Sequence, residues 1–155
     1  MQLVQVLVRL LDRLKYYMRF KFKYFYSYLL VSMLCKGKQM IEILNNCHIA
    51  CACLGNHDFD FGLEVLLKHI KNSNFPWLIS NVFDSDTKKP LGNVNDRHVI
   101  DIDGIRVGIM GLVEEEWMAT LSTINYDDII YESYVDIGKK LADELRNQEV
   151  LFLLF

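Results

Sequence analysis

Apolar side chains recur at helical spacing in some stretches of this chain and at strand-like density in others, and that alternation sets the expected architecture. Met40, Ile41 and Leu44 predict a helix from about Gly37 to Asn46, and Leu63, Leu66, Leu67 and Ile70 predict another over 62–71. Val135, Ile137, Leu141 and Leu145, set among Lys139, Lys140, Asp143 and Glu144, predict an amphipathic helix over 134–147. Between the helices, Ile49 to Leu54 and residues 77–83 read as short apolar strands. Val99–Asp103 and Ile105–Leu112 flank Asp103-Gly104, a two-residue hairpin signal, and residues 150–155 make a last apolar strand. The polar segment 84–95 is a loop. Strands alternating with helices predict an α/β fold with a parallel layer covered by helices.

Composition adds a division to this picture. With 155 residues, 52% hydrophobic and only two prolines, the chain has material for one globular domain of ordinary size. Its net charge of -3 hides an asymmetry: residues 1–35 hold six Lys or Arg (Arg9, Arg13, Lys15, Arg19, Lys21, Lys23) against Asp12, a charge of +5, which leaves -8 for the rest. We therefore divide the chain into a basic, aromatic segment, 1–35, and a domain, 36–155. In the first, bases interleave with Tyr16, Tyr17, Phe20 and Phe22, and Tyr24 to Cys35 runs without charge. Cationic and aromatic side chains together suit a membrane surface, so membrane contact through 1–35 is one expectation. The uncharged run is short for a span, which needs about 20 apolar residues. A helix packed on the domain, or a segment foreign to the native protein, is the competing expectation. No nucleic-acid partner is expected, because no motif of such a fold accompanies the charge.

The chemistry concentrates in Gly55-Asn56-His57-Asp58-Phe59-Asp60-Phe61-Gly62, on the turn between the first strand and the second helix. Asn56 offers a neutral carbonyl oxygen, a ligand for a hard or borderline cation. His57 offers an imidazole, and Asp60, three residues on, an acceptor for one of its ring N–H groups. Taken singly, each has a plain structural use: Asn56 in a left-handed turn, His57 as a partly buried ring, Asp60 as a cap for the helix starting near Phe61. Asp58 is expected to bond backbone or face water. Asn81, at a strand end where open α/β sheets bind ligands, is a candidate substrate contact, although strand-end amides more often serve the fold. The glutamates 114–116 read as a solvated loop, and Trp117 and Met118 as cover for the core edge. Cys35, Cys47, Cys51 and Cys53 lack zinc-finger spacing and are expected as buried thiols.

That string resembles the third signature of the calcineurin-like metallophosphoesterases, in the version found in 5'-nucleotidases. Residues 36–45, Phe75 to Val82, Pro90-Leu91, His98 to Ile100 and Gly104 to Leu112 are similar to what surrounds that signature, so the resemblance covers about residues 36–148. It implies a partial metallophosphoesterase sandwich, β-sheet layers flanked by helices, with an extra N-terminal helix. It further implies a divalent-metal hydrolase of nucleotide or other phosphoesters, using two ions such as Zn or Mn. Asn56 is then a metal ligand, and His57 steadies the phosphoryl oxygens and protonates the leaving group, with Asp60 as its partner.

What that site further requires is missing from the sequence. The early Asp-x-His and Gly-Asp ligands have no counterpart before Gly37, no histidine follows residue 112, and His48, His69 and His98 match no ligand position. One amide oxygen does not hold two divalent ions against water, so metal binding is expected to be weak or absent. The expectation is an incomplete, inactive piece of a nucleotidase-type hydrolase. The alternatives are a silent interaction module and a membrane-associated remnant.

Overall fold

A computed structural model describes residues 33–148, 150 and 152–154; the expectations for the N-terminal segment and its helix lie almost wholly outside these residues. The chain divides between Gln39 and Met40, and the sheets and core lie in the second unit. No helix among the described residues is long and apolar enough to cross a membrane.

Helix α1, Lys38–Asn46, buries Ile41. Strand β1, Ala52–Cys53, then leads through a 3-10 turn, Asn56–Phe59, into helix α2, Leu63–Asn72, and strand β2, Trp77–Leu78. β1 and β2 pair in parallel, Ala52 opposite Trp77 and Cys53 opposite Leu78, so β1–α2–β2 is a crossover unit with the polar turn at its first strand-to-helix corner. Asp103 and Gly104 both take positive φ, as the predicted tight turn demands, and join strands β4, Arg97–Ile102, and β5, Ile105–Met110. Strand β7, Phe152–Leu154, adds in parallel to β5. Helix α3, Tyr134–Arg146, starts at Ser133, whose side chain accepts the Asp136 N–H, and ends one residue short of the expected limit. Strands in several small sheets with helices between them make the α/β layers expected.

The strand expected over 77–83 is divided. Strand β3, Val82–Asp84, pairs instead with β6, Ile129–Tyr131, in an antiparallel sheet separate from β1–β2. The switch occurs at Ile79 to Asn81, where the backbone changes partners: Ile79 N–H donates to Asn95 O at 3.0 Å and Ser80 N–H to Gly111 O at 2.7 Å. Residues 84–95 are a loop in the main, with a short 3-10 turn at Leu91–Asn93.

Two apolar clusters carry the packing. Leu54, Phe59, Leu66, Trp77, Ile79 and Val82 belong to the first, with Met118 and Leu121 closing it. Met110 of β5 meets Ile137, Leu141 and Leu145 of α3 in the second. Full burial of each such side chain contributes about 1.5–3 kcal/mol. Leu67 and Val135, expected inside, are exposed, because each lies off the buried stripe of its helix. The thiols depart from expectation in part: Cys35 and Cys47 are exposed, whereas Cys51 is half-buried and burial pushes the Cys53 thiol pKa up to about 11, although that residue as a whole is exposed.

Ser80 and Asn81 are buried polar residues with every nearby bond taken. Ser80 Oγ donates to Asp96 O and accepts the Gly111 N–H at 2.9 Å. Asn81 is 0% exposed; its Nδ2 donates to Val113 O and Glu132 O, both at 2.9 Å, and its Oδ1 accepts the Val113 N–H at 2.9 Å. Replacing Asn81 by Leu strands those backbone groups, each worth about 1–3 kcal/mol when left unpaired. Asn81→Leu is therefore expected to lose about 3 kcal/mol or more in urea unfolding. Asn125→Ala, at an exposed position without a capping bond, should stay within about 0.5 kcal/mol.

Candidate functional site

The polar turn is organised by its own side chains. Gly55 N–H donates to Asp58 Oδ2 at 2.7 Å, which closes the first turn of the 3-10 segment and gives Asp58 the backbone-bonding role expected of it. The backbone then runs in 3-10 fashion, Asp58 N–H to Gly55 O at 3.2 Å and Asp60 N–H to His57 O at 3.3 Å. Three residues per turn bring positions 57 and 60 onto one side, and His57 Nδ1 lies 3.0 Å from Asp60 Oδ2. A carboxylate only accepts, so Nδ1 carries the proton and Nε2 is the ring atom left for other work. Asn56 is half-buried, and its amide makes no hydrogen bond among the described residues. Asp60 does not cap α2: the N-cap is Gly62, with no side-chain cap bond.

Exposure sets the strength of this arrangement. The His57 and Asp60 side chains are 84% and 51% exposed, and a pair this wet contributes about 0–1 kcal/mol to stability. The pair orients a ring more than it holds the fold. Directly beneath it, Phe59 is 1% exposed and packs edge-on against Trp117, ring centroids 5.5 Å apart at 84°. The Trp117 indole N–H is buried without a hydrogen-bond partner among the described residues. Thr123 Oγ1 donates to Phe59 O at 2.6 Å, from a residue that no local pattern in the sequence marks out.

The structure brings His57 and Asp60 together, with Asn56 next to His57 in the chain, and sets Asn81 apart as an internal amide bound to backbone. Glu114, Glu115 and Glu116 are exposed. His69 lies within electrostatic reach of Asp58, but among the described residues no group of three or more His, Cys, Asp or Glu is placed to hold a metal ion. A groove along α3, lined by Leu112, Glu114, Tyr134, Val135, Gly138 and Lys139, includes none of the candidate site residues.

Comparison with known proteins follows the same outline. No family model matches the chain. It is 34% identical over 96 residues to a 5'-nucleotidase of Vibrio cholerae, a match covering 62% of this chain and 17% of that protein. Over 114 residues it is 28% identical to a 2',3'-cyclic-nucleotide 2'-phosphodiesterase/3'-nucleotidase of Salmonella typhimurium, covering 69% of this chain and 18% of the relative. Among solved structures, a 5'-nucleotidase precursor from Thermus thermophilus superposes with a TM-score of 0.69 at 23% identity, covering 81% of this chain and 24% of that one. The chain resembles the 5'-nucleotidase type of calcineurin-like phosphoesterase. A calcineurin-like phosphoesterase from Bacillus subtilis shares the fold as well, with a TM-score of 0.61 at 20% identity over 74% of this chain and 36% of that one. The chain spans less than a fifth of the length of the two curated relatives. In this calcineurin-like fold the candidate turn occupies the corner between β1 and α2.

Two measurements probe the turn. Gly62, at φ 84 and ψ 161, sits in a backbone region open almost only to glycine, while a Cβ placed there would meet nothing within 4 Å. Gly62→Ala is thus expected to cost about 1–3 kcal/mol of stability from backbone strain alone, read in urea unfolding. For His69, burial lowers the imidazole pKa below its ordinary value, with Asp58 pulling partly back. The unfolded chain then binds the proton more readily, so stability present above about pH 6.5 is lost as pH falls through the lower folded-state value. His69→Gln should flatten that acid limb of the urea midpoint against pH.

Proposed function

We propose that this chain carries the phosphate-facing turn of a nucleotide phosphoester hydrolase of the 5'-nucleotidase type. The observation that supports it best is the His57–Asp60 pair, 3.0 Å apart on the 3-10 turn, with the ring exposed. In this reading Asp60 accepts the Nδ1 proton and fixes the ring's orientation. When protonated at both nitrogens, the ring offers its Nε2 proton to a phosphoryl oxygen, or to the oxygen of the departing group. A nucleotide is the proposed substrate by similarity to relatives named for nucleotide hydrolysis.

Divalent metal enters by the same similarity, with Asn56 as one ligand. The described residues do not fit a two-ion centre: a single amide oxygen is the one donor assigned, and no acidic, histidine or cysteine cluster supplements it. No step is assigned to metal here. An incomplete site is the form in which this chain is proposed to exist, one that orients phosphate but lacks the ligands for turnover.

The full chain is expected to release no phosphate from AMP or p-nitrophenyl phosphate above the buffer rate, with or without added Mn²⁺. A chimera tests the turn itself, with residues 52–112 replacing the matching segment of the Vibrio cholerae 5'-nucleotidase. We expect Mn²⁺-dependent AMP hydrolysis to survive the exchange and His57→Ala to lower it about a hundredfold or more. A folded, active chimera indifferent to His57→Ala would remove the imidazole from the proposed role. Turnover by the unsupplemented chain would remove the claim of incompleteness.

A further inference from the structure

We propose that the segment from Val113 to Thr123 is the positioning arm of the candidate site, and that Thr123 is its positioning residue. The 3-10 turn holding His57 is four residues long, and its internal backbone bonds of 3.2 and 3.3 Å are at the long end of the normal range. Short 3-10 segments with such bonds take their shape from what they pack against.

Leu54 and Leu66 share the cluster that encloses Phe59, and a further tie to the turn comes from the exposed Thr123. The Phe59 carbonyl, at the end of the turn, accepts two donors, the Gly62 N–H at 2.8 Å and the Thr123 hydroxyl at 2.6 Å. The hydroxyl bond is the shorter and comes from a residue 64 positions away, so it ties the turn to a different part of the fold. Below the same residue, Trp117 meets the Phe59 ring edge-on. The arm is itself anchored, since Val113 is gripped through both its N–H and its C=O by Asn81, and Met118 and Leu121 are buried in the cluster that contains Phe59. One segment of chain is therefore held by Asn81 at Val113 and meets Phe59 twice, through Trp117 and through Thr123. His57 lies two residues before Phe59 and Asp60 one after it, so the Phe59 carbonyl and ring bear on where they stand. Thr123 touches neither His57 nor any reacting group; it acts through the turn.

The assignment of a catalytic purpose to this arm rests on the functional reading above, while the mechanical coupling does not, and the test separates them. Thr123→Val keeps the shape and removes the hydroxyl; Thr123→Ser keeps the hydroxyl. In native-state amide exchange of the full chain, Thr123→Val is expected to speed exchange about fivefold or more at Asp58, Asp60 and Gly62. Amides of the β4–β5 hairpin, such as Val99 and Val107, should be unchanged, and Thr123→Ser should restore the slow exchange. Unchanged rates at 58–62, or acceleration spread equally over the hairpin, would overturn the proposal. A chimera extended to residue 124 adds the second arm: Thr123→Val should lower kcat for AMP with KM little altered, and Thr123→Ser should recover it. A loss confined to KM would overturn the positioning role, whereas failure of the unmutated chimera to turn over with normal exchange behaviour would strike only the functional reading.

Discussion

The Ser80–Asn81 pair is the constraint on which the rest of this fold depends. Two adjacent polar residues at the end of an apolar strand are enclosed and leave no donor stranded, because each bonds backbone from segments that must therefore converge on them. Ser80 draws in the start of the loop after β5 and the end of the loop before β4, and Asn81 draws in Val113 and Glu132. Polar groups in a low-dielectric interior are costly unless satisfied, so an arrangement of this kind admits few alternatives. The break between β2 and β3 is the visible result. Gly111 shows how tight the junction is, for a Cβ there would come within 2.9 Å of both Cys53 Sγ and the Leu78 carbonyl.

The candidate site borrows its rigidity from that junction. Its polar surface is wet and contributes little to stability, whereas Phe59 beneath it is among the most enclosed side chains. Exposure and anchoring are thus divided between neighbouring residues of one turn: 57 and 60 face water, 59 faces the core. Such division lets a loop present exposed groups in a fixed direction, which a freely moving histidine would not do. Arg97 pairs with Glu144 and so ties β4 to α3; the guanidinium holds that carboxyl below the usual glutamate range.

The local parts of this design were legible in the sequence. Asn56, His57 and Asp60 lie within five consecutive positions, so a turn is enough to gather them, and helical periodicity found α1, α2 and α3 because it depends on neighbours three and four apart. Asn81 was visible as a polar residue at a strand end, but its bonding partners, 32 and 51 positions away, were not. Nor was Thr123, whose partner is a main-chain carbonyl and so leaves no mark in side-chain composition. The strand Ile129–Tyr131 escaped notice because three residues are too few to show a period, and its pairing with Val82–Asp84 is a property of the assembled chain. Leu67 and Val135 were misplaced for a related reason: hydrophobicity gives the preference for burial, while the width of the buried stripe is set by what packs against it.

The 64-position separation between Thr123 and Phe59 carries a consequence for how the molecule forms. As the chain leaves the ribosome, the histidine turn emerges well before the hydroxyl that will clamp it, and loop closure over that distance must wait for the intervening strands. Until then the turn is held by local bonds alone, among them Gly55 N–H to Asp58 Oδ2 and Gly62 N–H to Phe59 O. The final geometry of the turn is accordingly among the last features to set, and a nascent chain stalled before residue 123 would display these polar groups without the Thr123 clamp.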